Sequence, residues 1–93
     1  MTIRESLIER TICDYAKNKS CLSFKFNSAS QRGVPDRIFI TEKGVFFVEF
    51  KRKGHLPTPL QAHVFSKFKE KNQEVYLIDD IETGKVFIDG ITS

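Results

Sequence analysis

The stretch Val45-Phe46-Phe47-Val48-Glu49-Phe50-Lys51 decides the fold of this 93-residue chain. Four apolar residues run without interruption, and an acid and a base then follow two positions apart. A strand that is apolar on both faces is typical of the centre of a sheet covered on both sides. Because successive side chains of a strand point to opposite faces, Glu49 and Lys51 point the same way. The pattern therefore predicts a charged site at the end of a buried central strand.

Further strands are predicted on either side of this stretch by short apolar runs and by alternation of apolar and polar residues. Cys21–Phe26 and Arg37–Ile40 form the first two strands, and Glu42-Lys43-Gly44 makes the hairpin turn into the third. Glu74–Ile78 is the fourth strand. The residues from Asp79 to Gly84 form a turn, and Lys85–Ile88 adds a possible short fifth strand.

Two helices complete the predicted fold. Thr2-Ile3-Arg4-Glu5 is a capping-box pattern that opens a helix at Ile3, and Asn18–Ser20 ends it. Thr58 caps a second helix with Pro59 at its first position and Gln61 three residues after the cap. The predicted apolar faces are Ile3, Leu7, Ile8, Ile12, Tyr15 and Ala16 in the first helix, and Leu60, Val64, Phe65 and Phe68 in the second.

The element order α-β-β-β-α-β predicts an α/β fold with a mixed central sheet of four to five strands flanked by helices. The second helix is a crossover that joins two parallel neighbouring strands. At 93 residues the chain, residues 1–93, is one domain with a modest core.

The composition gives a mild basic bias, with a formal net charge of +3 and a pI of about 9.0. That bias suits a nucleic-acid partner without requiring one. Cys13 and Cys21 fit no metal or redox spacing, so we expect reduced thiols that serve packing. The N-terminus lacks an apolar leader, and no run approaches the ~20 apolar residues of a membrane span, which predicts a soluble, intracellular, cytoplasmic protein without a membrane partner.

The chemistry of the predicted site follows from its carboxylates. Asp36 leads into the second strand and Glu49 ends the third, so hairpin-connected strands bring the two side chains together. Mg²⁺ usually takes one or two carboxylates in proteins, and the carbonyl of Phe50 is a candidate third ligand. Glu9, at the edge of the first helix's apolar face, approaches directly or through a water. Lys51 is placed to orient a water or neutralise charge on a phosphodiester undergoing hydrolysis.

A family resemblance rests on these residues and their neighbours. Asp36, twelve intervening residues and Glu49-x-Lys51 resemble the signature of the PD-(D/E)xK nuclease superfamily. The wider pattern resembles the VRR-NUC family over nearly the whole chain, as far as Ile78. The matching segments are Ile8-Glu9, Phe24-Lys25-Phe26, Gly33-Val34-Pro35-Asp36-Arg37, Val48-Glu49-Phe50-Lys51 and Pro59-Leu60-Gln61.

The resemblance implies a restriction-endonuclease-like fold and cleavage of DNA phosphodiester bonds with Mg²⁺ or Mn²⁺. It also implies a preference for branched DNA such as four-way (Holliday) junctions, and a homodimer. Stand-alone members of the family are small phage and bacterial proteins, so the expected compartment is the cytoplasm of a bacterial or phage-infected cell. Glu9, Asp36 and Glu49 are then metal ligands, Lys51 is the catalytic lysine, and Gln61 assists in the active site.

Structural readings of the same residues stay open. Glu49 and Lys51 also fit an exposed ion pair worth about 0–1 kcal/mol, and Asp36 also fits a turn. Glu9 also fits a solvated helix edge. Gln61 also fits a purely structural partner of the Thr58 cap, and the two roles of Gln61 are compatible only if its side chain can turn away from the cap.

Candidate DNA contacts come from basic residues near the site. They lie in the first strand, in the Asn27–Arg32 and Arg52–His55 loops, and beside Asp36, although such runs are often only solvated surface. Phosphate contacts read backbone geometry rather than base sequence. The competing functions are a branched-DNA-binding module without catalysis and a subunit of a larger nuclease or helicase assembly. The candidate DNA-binding residues are Lys25, Arg32, Arg37, Arg52 and Lys53.

Overall fold

A computed structural model describes residues 2–93. These residues fold into helices and strands in the predicted order, with one additional helix at the end of the chain. The elements are α1 (Glu5–Lys17), β1 (Leu22–Lys25), β2 (Arg37–Thr41), β3 (Gly44–Phe50), α2 (Pro59–Glu70), β4 (Val75–Ile78) and α3 (Ile81–Thr92).

The four strands form one mixed sheet in the order β1-β2-β3-β4. β1 pairs with β2 and β2 with β3 in antiparallel fashion, whereas β3 and β4 are parallel. The predicted central position of β3 and the α2 crossover are therefore confirmed. A turn at Glu42 and Lys43 joins β2 to β3, and the register pairs Asp36's neighbour Arg37 with Val48 near the end of β3.

Helices α1 and α3 cover one face of the sheet, where the main core lies. Strand alternation places Phe39, Val48 and Phe50 on this face, and each of them is 0% exposed. The opposite face is covered by α2, where the rings of Phe47 and Phe68 meet edge to face with centroids 5.1 Å apart. The helical side chains of the main core include Ile8, Ile12, Ala16, Ile88 and Ile91.

The close approach of α1 and α3 depends on Gly84. A Cβ atom at this position would lie 2.6 Å from Cδ1 and 2.8 Å from Cγ1 of Ile12, which is itself 0% exposed. Such distances are shorter than real contacts allow, so only glycine permits this packing. Gly84 therefore has a packing reason inside the helix that outweighs its low helix propensity.

The predicted fifth strand is wrong, and so is the predicted turn before it. Lys85–Ile88 lies inside α3, which Asp80 caps by accepting a hydrogen bond from the Thr83 N–H at 3.0 Å. Gly84, Ile88 and Ile91 recur at helical spacing and are all buried. The four-residue apolar run was too short to distinguish a strand from the buried stripe of a helix.

The predicted start of the first helix is also wrong. α1 begins at Glu5 after Arg4, with no side-chain cap, and Ile3 and Leu7 are exposed at 44% and 38%. The second helix begins as predicted, since the Thr58 capping box is present. Its apolar stripe is only partly buried, because Leu60 is 43% exposed. No helix within residues 2–93 combines the length and the apolar character needed to cross a membrane.

Candidate active site

The end of β3 buries an acid beside a base. The Glu49 side chain is 2% exposed, and Nζ of Lys51 lies 3.3 Å from its Oε2 atom. The strand is held in place here by β4, because the Lys51 N–H donates to the Ile78 carbonyl at 3.0 Å. The two side chains therefore share one face of β3, as strand alternation requires. An ion pair buried to this degree is not the exposed pair that the sequence alone also allowed.

Asp36 is fixed to the end of the same strand. Its Oδ2 atom accepts a hydrogen bond from the Phe50 N–H at 2.8 Å, and its carbonyl accepts one from the Phe26 N–H at 2.9 Å. The loop before it packs on α2: Gly33 has a φ of +87°, and a Cβ there would lie 3.1 Å from Leu60. The loop and the strand together bring Asp36 next to Glu49.

Gln61 contacts both the helix cap and the site. Its Nε2 group donates to Glu49 Oε2 at 3.0 Å, while its Oε1 atom accepts from the Thr58 N–H at 2.9 Å. The cap contact and the contact with Glu49 therefore coexist in one conformation, so the expectation that Gln61 must turn away from the cap to reach the site is wrong. The oxygen of a primary amide accepts while its nitrogen donates in a different direction, so one end can cap the helix while the other contacts Glu49.

The charges at the site disfavour ionisation of both carboxyl groups. Burial raises the pKa of Glu49 to about 7, the negative charge of Asp36 adds to this, and Lys51 opposes it. Burial also raises the pKa of Asp36, against the hydrogen bond from the Phe50 N–H. Two neighbouring carboxylates with little water disfavour each other's charge. A divalent cation between them would relieve this repulsion.

One oxygen of the Glu49 carboxylate has no hydrogen-bond partner within residues 2–93. Glu49 Oε2 receives Gln61 and Lys51, whereas Oε1 is buried and makes no hydrogen bond. A buried acceptor left unpaired is costly unless an ion or water satisfies it. Residues 2–93 contain no group of three His, Cys, Asp or Glu side chains placed to hold a metal. The donors that remain, two carboxylates with an unpaired oxygen, fit Mg²⁺, which keeps several of its waters.

Phe50 contributes its backbone to the site, since its ring is 0% exposed in the core and its N–H anchors Asp36. The predicted ligand role of the Phe50 carbonyl stays a prediction.

The first helix presents two glutamates toward this end of the sheet. Glu9, the predicted ligand, pairs with Arg37, whose Nε donates to Glu9 Oε2 at 2.8 Å. Its charge nevertheless reaches Asp36 and raises the pKa of that carboxyl. The charge of Glu5 raises the pKa of Glu49. Glu5 was not among the sequence-predicted residues, although its position one turn before Glu9 on the same helical face was a usable signal.

The predicted DNA-binding residues differ in how close they lie to the carboxylates. A cleft of about 330 Å³ is lined by Lys25, Arg32 and Asp36, so both cations flank the site. Arg37 is engaged by Glu9 as described above. On the other loop, Arg52 is exposed and Lys53 lies 3.9 Å from the Asp80 carboxylate. The structure therefore brings Lys25 and Arg32 to the site more directly than the residues of the Arg52–His55 loop.

Comparison with known proteins identifies the class. No family model matches the chain. A phage protein named "Putative nuclease p44", from Acyrthosiphon pisum secondary endosymbiont phage 1, is 31% identical over 85 residues, which cover 90% of this chain and 91% of that protein. A solved structure named "VRR_NUC domain" superposes with a TM-score of 0.82 at 21% identity, covering 91% of this chain and 94% of the other. A "VRR_NUC domain protein" superposes with a TM-score of 0.74 at 13% identity, covering 98% and 89%.

The fold is thus that of the solved VRR_NUC domains, as the sequence predicted. The chain belongs to the VRR-NUC family of nucleases.

Proposed function

We propose that this protein is a metal-dependent, structure-selective DNA endonuclease that hydrolyses phosphodiester bonds. The observation that carries the proposal is the buried Glu49, which adjoins Asp36 and Lys51 and keeps one oxygen without a partner. Burying two neighbouring carboxyl groups at the end of a sheet costs energy, and perturbed groups of this kind cluster at functional sites, which favours a functional reason for them. The relative named as a nuclease supports the same reading.

The roles of the side chains follow from their positions. Asp36 and Glu49 would hold Mg²⁺ or Mn²⁺, which supplies a Lewis acid for the phosphate and lowers the pKa of a bound water. Lys51 carries its positive charge beside Glu49, where it can stabilise the negative charge that develops on the phosphate oxygens. Gln61 keeps the Glu49 carboxylate in one orientation through its Nε2 donor. Glu9 is proposed to act on the ion through a water, since Arg37 occupies its Oε2 atom.

Branched DNA such as a four-way (Holliday) junction is the proposed substrate. The cations beside the carboxylates, Lys25 and Arg32, would bind phosphates rather than read bases. Arg52 and Lys53 extend the proposed contact surface on the second loop. Recognition through phosphate positions selects the shape of the DNA. The phage origin of the relative favours action in the cytoplasm of a bacterial or phage-infected cell.

A homodimer is the proposed active form. On the sheet face that carries α2, the part near β1 that the helix leaves uncovered exposes Leu22 at 57%, Phe24 at 52% and Val45 at 48%, and β1 is an edge strand. Such an apolar patch is typical of an interface, and a two-fold axis would supply two sites for symmetric cuts in a junction. We expect Phe24→Asp to give a monomer in light scattering. Val86→Asp, a control at an exposed valine of α3 outside this patch, should leave the mass unchanged. A wild-type mass of one chain with and without DNA would contradict the dimer.

Cleavage of a panel of DNA structures tests the function. Labelled four-way junctions, flaps and duplexes are incubated with wild type, Asp36→Asn and Lys51→Ala in Mg²⁺ and in Mn²⁺, with chelator as the blank. We expect metal-dependent cleavage by wild type and by Glu74→Gln, an exposed control, and losses of at least about 100-fold for both site variants. Absence of cleavage, or cleavage that Asp36→Asn leaves unchanged, would refute the proposal. Junction binding without cleavage would favour the binding-module alternative.

A further inference from the structure

The N-terminal cap of α2 and the candidate active site share a single side chain. Thr58 and Gln61 make a capping box, in which the Gln61 N–H donates to Thr58 Oγ1 at 3.2 Å and the Thr58 N–H donates to Gln61 Oε1 at 2.9 Å. The same amide then donates to Glu49 Oε2 through Nε2 at 3.0 Å. The backbone at Thr58 is thus two hydrogen bonds away from the buried carboxylate.

The orientation of the Gln61 amide is determined at its cap end. A backbone N–H can only donate, so the amide oxygen must face Thr58 and the amide nitrogen must face the other way. Without that N–H, the terminal torsion of a glutamine side chain has a broad, roughly two-fold preference. The amide could then turn its oxygen toward Glu49 and lose the hydrogen bond. The cap therefore selects the orientation in which the site receives a donor.

The two oxygens of Glu49 consequently have different surroundings. Oε2 is occupied by Gln61 and by Lys51, while Oε1 is buried and unpaired. A carboxylate held at one oxygen presents the other in a fixed direction, which is what a metal ligand requires from its supporting residues.

We propose that the backbone N–H of Thr58 is a positioning group for the active site: by orienting the Gln61 amide, it fixes Glu49 so that Oε1 is presented to a divalent cation. This proposal rests on the proposed function, because it takes Glu49 as the metal ligand. It assigns Thr58 a role that reaches beyond starting a helix, and it makes the cap of α2 part of the metal site.

Three substitutions at position 58 separate this role from helix capping. Thr58 has a φ of −65°, the value that proline prefers, so Thr58→Pro removes the N–H and the hydroxyl with little change of φ, and its comparison with Thr58→Ala isolates the N–H. Thr58→Ala removes only the hydroxyl that caps the Gln61 N–H, and it keeps the N–H that orients the amide. Thr58→Ser keeps both groups and serves as the conservative control.

The first measurement needs neither metal nor DNA. In nuclear magnetic resonance spectra, the side-chain NH₂ group of Gln61 is expected to be slow to exchange in wild type, Thr58→Ser and Thr58→Ala, and to lose that protection in Thr58→Pro. Should Thr58→Pro fail to fold, the Thr58 amide proton gives the same information: Gln61→Ala must raise its exchange rate relative to wild type. Unchanged protection of the amide in Thr58→Pro, or a Thr58 proton that Gln61→Ala does not affect, overturns the proposal.

The second measurement is Mn²⁺ binding by calorimetry, followed by cleavage kinetics. We expect Thr58→Pro to weaken Mn²⁺ binding about 10- to 100-fold, the usual effect of losing a group that supports a metal ligand. In chelator, its affinity for DNA should equal that of wild type. Thr58→Ala should remain within about 3-fold of wild type, and Thr58→Pro should add no further loss to Gln61→Ala, since both act through one amide. If Thr58 served only to cap the helix, Thr58→Ala and Thr58→Pro would have the same affinity for Mn²⁺.

The outcomes for this proposal and for the proposed function are distinguishable. If wild type binds Mn²⁺ and Thr58→Pro binds it equally well, the positioning role is overturned and the nuclease proposal stands. If wild type binds no Mn²⁺ and cleaves nothing, the proposed function fails, and the positioning of a metal ligand fails with it, even where the Gln61 signal still depends on Thr58.

Discussion

Replacing Glu49 by glutamine should stabilise the metal-free protein at alkaline pH while removing its function. Burial and the charge of Asp36 raise the pKa of Glu49 from its ordinary 4.5 to about 7. The folded state therefore holds a proton that the unfolded chain releases, so the free energy of unfolding decreases as the pH rises from about 4.5 through about 7. Each pKa unit corresponds to about 1.4 kcal/mol, so ionised Glu49 costs up to about 3 kcal/mol at pH 8.

The variant Glu49→Gln carries no charge at any pH and keeps an oxygen for the Gln61 and Lys51 donors. At pH 8 in chelator, we expect the free energy of unfolding of the variant to exceed that of wild type by about 2–3 kcal/mol, or roughly 10 °C in melting temperature. At pH 5 the two free energies should agree within about 1 kcal/mol. Urea unfolding followed by circular dichroism at both pH values measures the difference. Glu74→Gln, which removes an exposed carboxylate just before β4, is the control and should follow wild type throughout.

The same unfolding experiment is repeated with Mg²⁺ in place of chelator. An ion that binds only the folded state stabilises it by about 2.7 kcal/mol at one hundred times its dissociation constant. Wild type should therefore recover its deficit at pH 8 in saturating Mg²⁺, whereas Glu49→Gln should not respond. The reasoning is refuted if Glu49→Gln is less stable than wild type at pH 8 in chelator, or if wild type shows no loss of stability between pH 5 and pH 8 beyond that of the variant.

Three further substitutions test the packing and the charges of the molecule. Gly84→Ala should lower the free energy of unfolding by about 1–3 kcal/mol through overpacking, whereas Gly90→Ala, whose Cβ meets nothing within 4 Å, should raise it by up to about 1 kcal/mol; chemical denaturation compares the two. Lys51→Met keeps the apolar stem but leaves Glu49 without its cation, so it should destabilise the chelated protein at pH 8 and much less at pH 5, measured by thermal melting. Glu5→Gln should lower the pKa of Glu49, by less than burial raises it, in a carboxyl titration by nuclear magnetic resonance.

The central part of the fold could be predicted because its signals are local. An uninterrupted apolar run ending in Glu49 marks β3, and the sequence Thr58-Pro59 with Gln61 marks the start of α2 independently of any tertiary contact. Since the crossover between β3 and β4 then has to join parallel neighbours, the sheet topology followed from these two signals. The positions of Asp36 and Glu49 follow from the strands β2 and β3, next to whose ends they lie.

The C-terminal helix could not be predicted because its evidence is not local. Two glycines, Gly84 and Gly90, disfavour a helix on propensity, and the apolar run around Phe87 fits a strand as well. What selects the helix is burial of Ile88 and Ile91 against α1, together with the absence of any clash at Gly84. Both are properties of the packed molecule, which a one-dimensional pattern does not contain.

The roles of the first helix needed the structure for a related reason. Helical spacing places Glu5 and Glu9 on one face, but not how that face is rotated relative to the end of the sheet. In the folded protein Arg37 lies on the α1 side of β2 and engages Glu9, while the charge of Glu5 reaches Glu49. The position of a helix relative to a site depends on the core residues of both elements, so motif spacing alone could not decide between the two glutamates.

Gln61 shows that one side chain can cap a helix and contact the candidate site at the same time. The cap contact and the contact with the site carboxylate do not compete, because each uses a different end of the amide. The two capping hydrogen bonds restrain Gln61, and in the proposed metal site Glu49 needs a rigidly held donor so that its unpaired oxygen faces the ion. Joining the two roles in one side chain gives the carboxylate that rigidity without another buried polar residue in a small core.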